Sequence, residues 1–233
     1  MEANMKTARL AGFFYLMMIV GLVISDTLSD RLIIPGDTIE TFNNILNGQG
    51  LYITAFFSEA MSALFFLLAA WTLYVILKPV NQNLALLFLV LLAVGVAIEC
   101  LNLINLIAVL VVIQGNIDLS AFQVDQLQSL AMFFLELYDH GFVIAQIFFG
   151  TWLFPLGYLV FKSTYLPKWI GMLLMADSFG IVFWFFQHFA LPDYPDLVIP
   201  AFAIGFAAEF SLSMWLLIKG VNENALANKL KQG

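Results

Sequence analysis

The chain has 233 residues, 62% of them hydrophobic and 11% charged, with a formal net charge of −7. A soluble domain is about 45–50% apolar and ~25% charged, so this chain must place much of its surface in lipid. The acidic balance, with no basic patch or zinc-finger spacing, excludes a nucleic-acid partner, and the single cysteine, Cys100, excludes an internal disulfide.

A helix needs ~20 apolar residues to cross the hydrocarbon of a bilayer. Six segments meet that length: about 8–25, 51–77, 84–113, 131–161, 168–189 and 198–218. The runs are continuous rather than alternating, which excludes a membrane β-barrel. The expected fold is therefore all-α: one polytopic transmembrane helical domain, 1–233, with six membrane-spanning helices.

The first run follows Lys6 and Arg9 and lacks a small-x-small cleavage site, so it reads as a retained helix rather than a signal peptide. Between the first and second runs, Pro35-Gly36 makes a turn and Asp37 is placed to cap a short helix ending near Gly48. The second and third runs meet at Lys78-Pro79-Val80-Asn81. Cys100, in the third run, reads as a small core residue. Gly115 ends that run, and Ser120 with Gln123 forms a capping-box pattern, so the fourth helix is expected to start near residue 121. Ser163 to Pro167 is a tight link to the fifth run, and the link from Pro192 to Asp196 is short and rigid.

Lys6, Arg9, Lys78, Lys162, Lys168, Lys219, Lys229 and Lys231 all fall at one end of such a bundle, and only Arg31 falls at the other. The excess of Lys and Arg predicts that both termini are cytoplasmic, in the cell (inner) membrane. The opposite face holds Asp26, Asp30, Asp37, Glu40, Asp118, Asp125, Asp193 and Asp196 and should attract cations.

Several patches together resemble one family. They are Ala8-Arg9-Leu10-Ala11-Gly12, Ile34-Pro35-Gly36-Asp37, Leu77-Lys78-Pro79-Val80-Asn81 and Asp125-Gln126-Leu127-Gln128. Tyr165-Leu166-Pro167-Lys168 and Glu209-Phe210-Ser211-Leu212, with Trp215-Leu216-Leu217, complete the set. On these the chain resembles the bacterial six-helix membrane proteins of domain-of-unknown-function family 4386, from about residue 7 to 222. The resemblance implies a bacterial membrane protein and supplies no activity, substrate or catalytic residue.

Carboxylates carry the functional signal. Glu59, Glu99, Glu136, Asp139, Asp177 and Glu209 lie in or at the edges of the apolar runs, with no Lys or Arg at comparable depth. Each must be protonated, wetted, paired or bound to a cation. At ~1.5 Å per residue, Glu209 and Asp177 fall near the bilayer midplane. Glu59, Glu99 and His188 fall in the outer quarter, and Glu136, Asp139 and His140 fall at the outer boundary. The candidate proton or cation site is Glu209, Asp177, Glu99 and Glu59, at the end of a polar cavity that opens outward. Glu136, Asp139 and His140 share one helix face and, with His188, form a candidate site for a divalent metal.

No H-E-x-x-H, nucleophile elbow or phosphate loop is present. The two histidines alone give little support to a haem. Three readings stay open: a proton or cation transporter, a non-catalytic accessory or structural membrane protein, and an intramembrane metal-dependent enzyme acting on a lipid-like substrate. The lipid bilayer is the one partner expected from composition. The partner otherwise expected is a proton or small cation, and the oligomeric state stays open.

Overall fold

Eight α-helices, joined by turns and one short 3-10 segment, make up the computed structural model, which describes residues 2–115 and 121–231. Six helices are long and apolar enough to span a membrane: α1 (Met5–Leu32), α3 (Gln49–Leu77), α4 (Gln82–Gln114), α5 (Val124–Lys162), α6 (Lys168–Ala190) and α7 (Ile199–Ile218). Two short helices, α2 (Thr38–Asn47) and α8 (Glu223–Leu230), complete the fold, and no strand occurs among the described residues. This is the polytopic helix bundle that the composition predicts.

The ends of the helices follow local chemistry. The Asn4, Asn81 and Asn222 side chains each accept a hydrogen bond from a first-turn N–H, capping α1, α4 and α8. Asp37 caps α2 in the same way, where the sequence places a cap. Gly115 ends α4 in the left-handed conformation, at φ 62°. The capping box of α5 is formed by Gln123 and Gln126. The expected Ser120 cap and Asp118 lie outside the described residues.

One boundary and one short helix depart most from the sequence expectation. α1 continues past residue 25 to Leu32, because Ser25 is buried against α3 rather than released to a loop. α8 was not anticipated. It is a short polar helix whose one buried side chain is Leu226. Cys100 is also exposed on the surface of α4 rather than in the core, and on a helix this apolar that surface faces lipid.

The long helices pack in sequence order: α1 on α3, α3 on α4, α4 on α5, α5 on α6, and α6 on α7. α7 then returns to α1 and closes a six-membered ring. That last contact is tight because both sides present little bulk. A Cβ placed on Gly12 would stand 2.5 Å from the Leu217 nitrogen and 2.7 Å from the Ser213 carbonyl oxygen. The Ser213 hydroxyl donates to the Gly12 carbonyl at 3.2 Å. Small residues permitting close backbone approach are the usual means of helix association in lipid. Gly157 and Gly171 play the same part between α5 and α6, each facing the other's carbonyl.

The terminus-bearing end of the ring is solid. Tyr15, Phe88, Trp152, Leu156, Leu159, Leu212 and Leu216 are all fully buried there. The Tyr165 hydroxyl donates to the Ile76 carbonyl at 2.7 Å, and the Asn222 N–H donates to the Tyr165 carbonyl. These two bonds tie the ends of α3 and α7 to the α5–α6 link. At the other end, α2 packs over a second cluster built from Leu32, Tyr52, Leu106, Val109 and Leu135.

Candidate functional site

Within the ring lies a cavity of about 350 Å³, lined by residues from every one of the six long helices. Its apolar wall is Met18, Leu22, Ala63, Phe66, Phe142, Phe149, Ile181, Trp184 and Phe202. Its polar groups are Asp26, Ser62, Glu99, Gln146 and Glu209. No Lys, Arg or His lines it. Along α1 it runs from Met18 to Asp26, about 12 Å at the rise of a helix. Its closed end is the aromatic cluster in which Trp152 meets Phe66 edge-on, at 5.2 Å, and Tyr15 in a stack, at 6.4 Å.

Glu209 sits at that closed end. Behind it, on α6, is Asp177, only 1% exposed and with no hydrogen-bond partner for either carboxylate oxygen. Asp177 lies against Gly205, one helical turn from Glu209 on α7, and the two carboxylates interact electrostatically. The Tyr15 hydroxyl faces the same pair, Glu209 foremost, without meeting either in full hydrogen-bond geometry. Among the described residues, the side-chain polar atoms fully shut off from solvent and without partners are the Tyr15 hydroxyl, Trp152 Nε1 and both Asp177 oxygens. Buried polar groups are ordinarily satisfied, and each exception calls for an explanation. Here the exceptions gather in one place. Tyr15 stacks on Trp152 and faces Asp177 and Glu209.

Glu99 is buried on α4 and opens onto the cavity, without a hydrogen-bond partner among the described residues. Glu59 is different. Its carboxylate accepts from the Tyr138 hydroxyl and, at 3.3 Å, from the Ser25 hydroxyl. The Tyr138 carbonyl in turn accepts from Asn102 Nδ2 at 2.7 Å, and Asn102 accepts from Asn105. This chain links α1, α3, α5 and α4, and it borders a separate cavity of about 90 Å³. Of the four candidate cation-binding acids, Glu209 and Glu99 line the central cavity, Asp177 stands behind Glu209, and Glu59 belongs to this interhelical network.

The candidate metal residues fall elsewhere. Asp139 and His140 on α5 meet His188 in the last turns of α6, with one ligand atom of each within 4.8 Å of the others. Glu136, exposed one turn earlier on α5, stands outside that group. The sequence reading missed Tyr15, Trp152 and Gln146. Their signal was too weak to find, since a lone polar atom in an apolar run says nothing about whether it is satisfied.

The fold and site thus define a six-helix membrane protein whose ring encloses an acidic, aromatic-walled cavity. Residues 10–220 match the family described as "Domain of unknown function (DUF4386)", and the chain belongs to that family. A similar relative is an "Uncharacterized protein" of Archaeoglobus fulgidus, 30% identical over 151 residues, covering 65% of this chain and 74% of the relative. No solved structure matches the chain.

Proposed function

We propose that this protein binds a cation inside the helix ring and exchanges it for a proton held by Asp177 and Glu209. The observation that carries this reading is that all six long helices line one cavity that contains three carboxylates and no cationic side chain. A carboxylate in such surroundings must take a proton, a water or a cation. Two adjacent ones cannot both keep an uncompensated charge. A cation arriving at Glu209 would release one proton from the pair, and its departure would call one back.

The walls favour an organic cation over a bare metal ion. Phe66, Phe142, Phe149, Trp184 and Phe202 offer ring faces and edges to a positive group and apolar surface to the rest of the ligand. The volume lies within the usual ~300–1,000 Å³ range of small-molecule pockets. Asp26 marks the end away from the termini, which the distribution of Lys and Arg assigns to the outer face.

The test is proton release from proteoliposomes containing a pH dye when benzyltrimethylammonium is added outside. Wild-type protein should couple uptake to proton movement, and Glu209→Gln and Asp177→Asn should each reduce the coupled rate by about tenfold or more while melting as the wild type does. Equal rates in wild type and both variants would defeat the reading. Variants that change melting alone, with wild-type protein inactive, would point to a non-catalytic structural role.

A further inference from the structure

The Asp139, His140 and His188 cluster lies outside the central cavity and has no place in the exchange just described. His140 Nδ1 and His188 Nε2 are 2.9 Å apart. The rings meet edge-on with centroids 5.1 Å apart, and Phe189 packs against both. Two imidazole nitrogens this close can converge on one ion set to the side of the line that joins them. Asp139 supplies an oxygen from the same helix as His140 and has no hydrogen-bond or ion-pair partner among the described residues. Eight of the nine Lys and Arg residues belong to the other end of the bundle, and the ninth, Arg31 on α1, makes no ion pair with Asp139.

We propose that Asp139, His140 and His188 bind a divalent first-row transition metal, zinc in the first instance, between α5 and α6. The geometry fits such an ion. Nitrogens about 2.05 Å from one centre stand about 2.9 Å apart at a right angle and about 3.3 Å apart at the tetrahedral angle. The observed spacing therefore needs a shift of a few tenths of an ångström at most. The carboxylate is exposed and turns freely enough to close its longer distance. Two imidazoles and one carboxylate are a donor set for zinc, nickel or iron rather than for calcium or magnesium. The site leaves at least one coordination position open to water or another ligand.

Its place in the fold gives the ion a second consequence. Trp184 is one turn below His188, and Phe142 follows His140 on α5. These two rings meet edge-on at 6.1 Å and both line the central cavity. A metal at the histidines therefore fastens α5 to α6 directly above the aromatic pair.

The experiment is equilibrium dialysis of the full chain, purified in detergent without a polyhistidine tag, against Zn²⁺. Thermal melting is followed in parallel. The expected result is one Zn²⁺ per chain and a melting temperature raised by the ion. His140→Ala and His188→Gln should each weaken binding about tenfold or more and lose the melting shift, while Asp125→Asn, elsewhere on α5, should retain both. Co²⁺ bound to the wild-type protein should show an inner-sphere ligand-field spectrum distinct from hexaaquo Co²⁺, which guards against a variant that merely misfolds. A wild-type protein that binds no stoichiometric Zn²⁺, a His140→Ala/His188→Gln double variant that binds as tightly as wild type, or an aquo-like Co²⁺ spectrum would each overturn the proposal. The cavity reading does not depend on the outcome.

Discussion

Asp177 on α6 is seated directly against Gly205 on α7, so closely that a Cβ at position 205 would lie 2.6 Å from Asp177 Oδ1. Glycine at 205 makes the room in which the unpartnered carboxylate sits, and its place one turn from Glu209 sets the two acids side by side. The deep site is thus built jointly by two helices, one supplying an acid and the other an acid and a gap.

That relationship predicts coupling between the two positions. Gly205→Ala should destabilise the protein by about 1–3 kcal/mol, because the added methyl group must displace a buried carboxylate. In an Asp177→Ala background the same change should cost little. Melting of the wild type, both single variants and the double variant in detergent gives the interaction energy, expected at ~1 kcal/mol or more. Additive effects would mean that the two residues do not share the space.

Glu59 should behave as a structural acid. Tyr138→Phe removes one of its two hydrogen bonds and leaves a buried carboxylate less well satisfied. The expected cost is about 1–3 kcal/mol. Ser25→Ala should cost less, since its bond is long at 3.3 Å. Neither variant should alter proton-coupled uptake in proteoliposomes. A loss of uptake at wild-type stability would move Glu59 into the functional site.

Ring closure should depend on Gly12. Gly12→Ala sets a methyl group against backbone atoms of α7 rather than against a flexible side chain. The helices must therefore separate, at an expected cost of about 1–3 kcal/mol. Gly36→Ala makes a useful contrast. No atom lies within 4 Å of its Cβ position, so any cost there comes from its backbone φ of 79°. Melting curves of the two variants separate the effects, since only Gly12→Ala should also loosen α1 from α7 in a cysteine cross-linking assay.

Orientation is open to direct measurement. In a Cys100→Ala background, a cysteine at Asp37 should react with a membrane-impermeant maleimide in intact cells, and one at Lys229 should react only after lysis. The opposite pattern would invert the topology and turn the cavity toward the cytoplasm. With Cys100 retained, the thiol on the outer surface of α4 should react with an apolar maleimide and resist an impermeant one, because lipid covers it.

Much of this was legible in the residues. The six spans were readable because hydrocarbon admits only long apolar helices whose backbone bonds are satisfied internally, so length and composition alone decide the matter. The Asp37 cap and the Gly115 stop were readable because they depend on a few neighbouring atoms. α1 was read seven residues short, because Ser25 and Asp26 look like a loop until α3 brings Glu59 to the Ser25 hydroxyl. Cys100 was misplaced for a related reason. In a membrane protein both the lipid-facing and the inward-facing surfaces of a helix are apolar, so the pattern does not reveal the side.

The sequence by itself determined a membrane-spanning helical bundle and a set of acids without basic partners at their depth, since both follow from the cost of burying charge in hydrocarbon. Only the tertiary structure decided where each acid stands and what it meets. It gave Glu59 two hydroxyl partners, opened Glu99 and Glu209 onto one cavity, left Asp177 without a partner against Gly205, and set His140 beside His188. Those outcomes depend on how α7 closes against α1 and how α5 crosses α6, and close packing between helices far apart in the chain is not written in the period of any one of them.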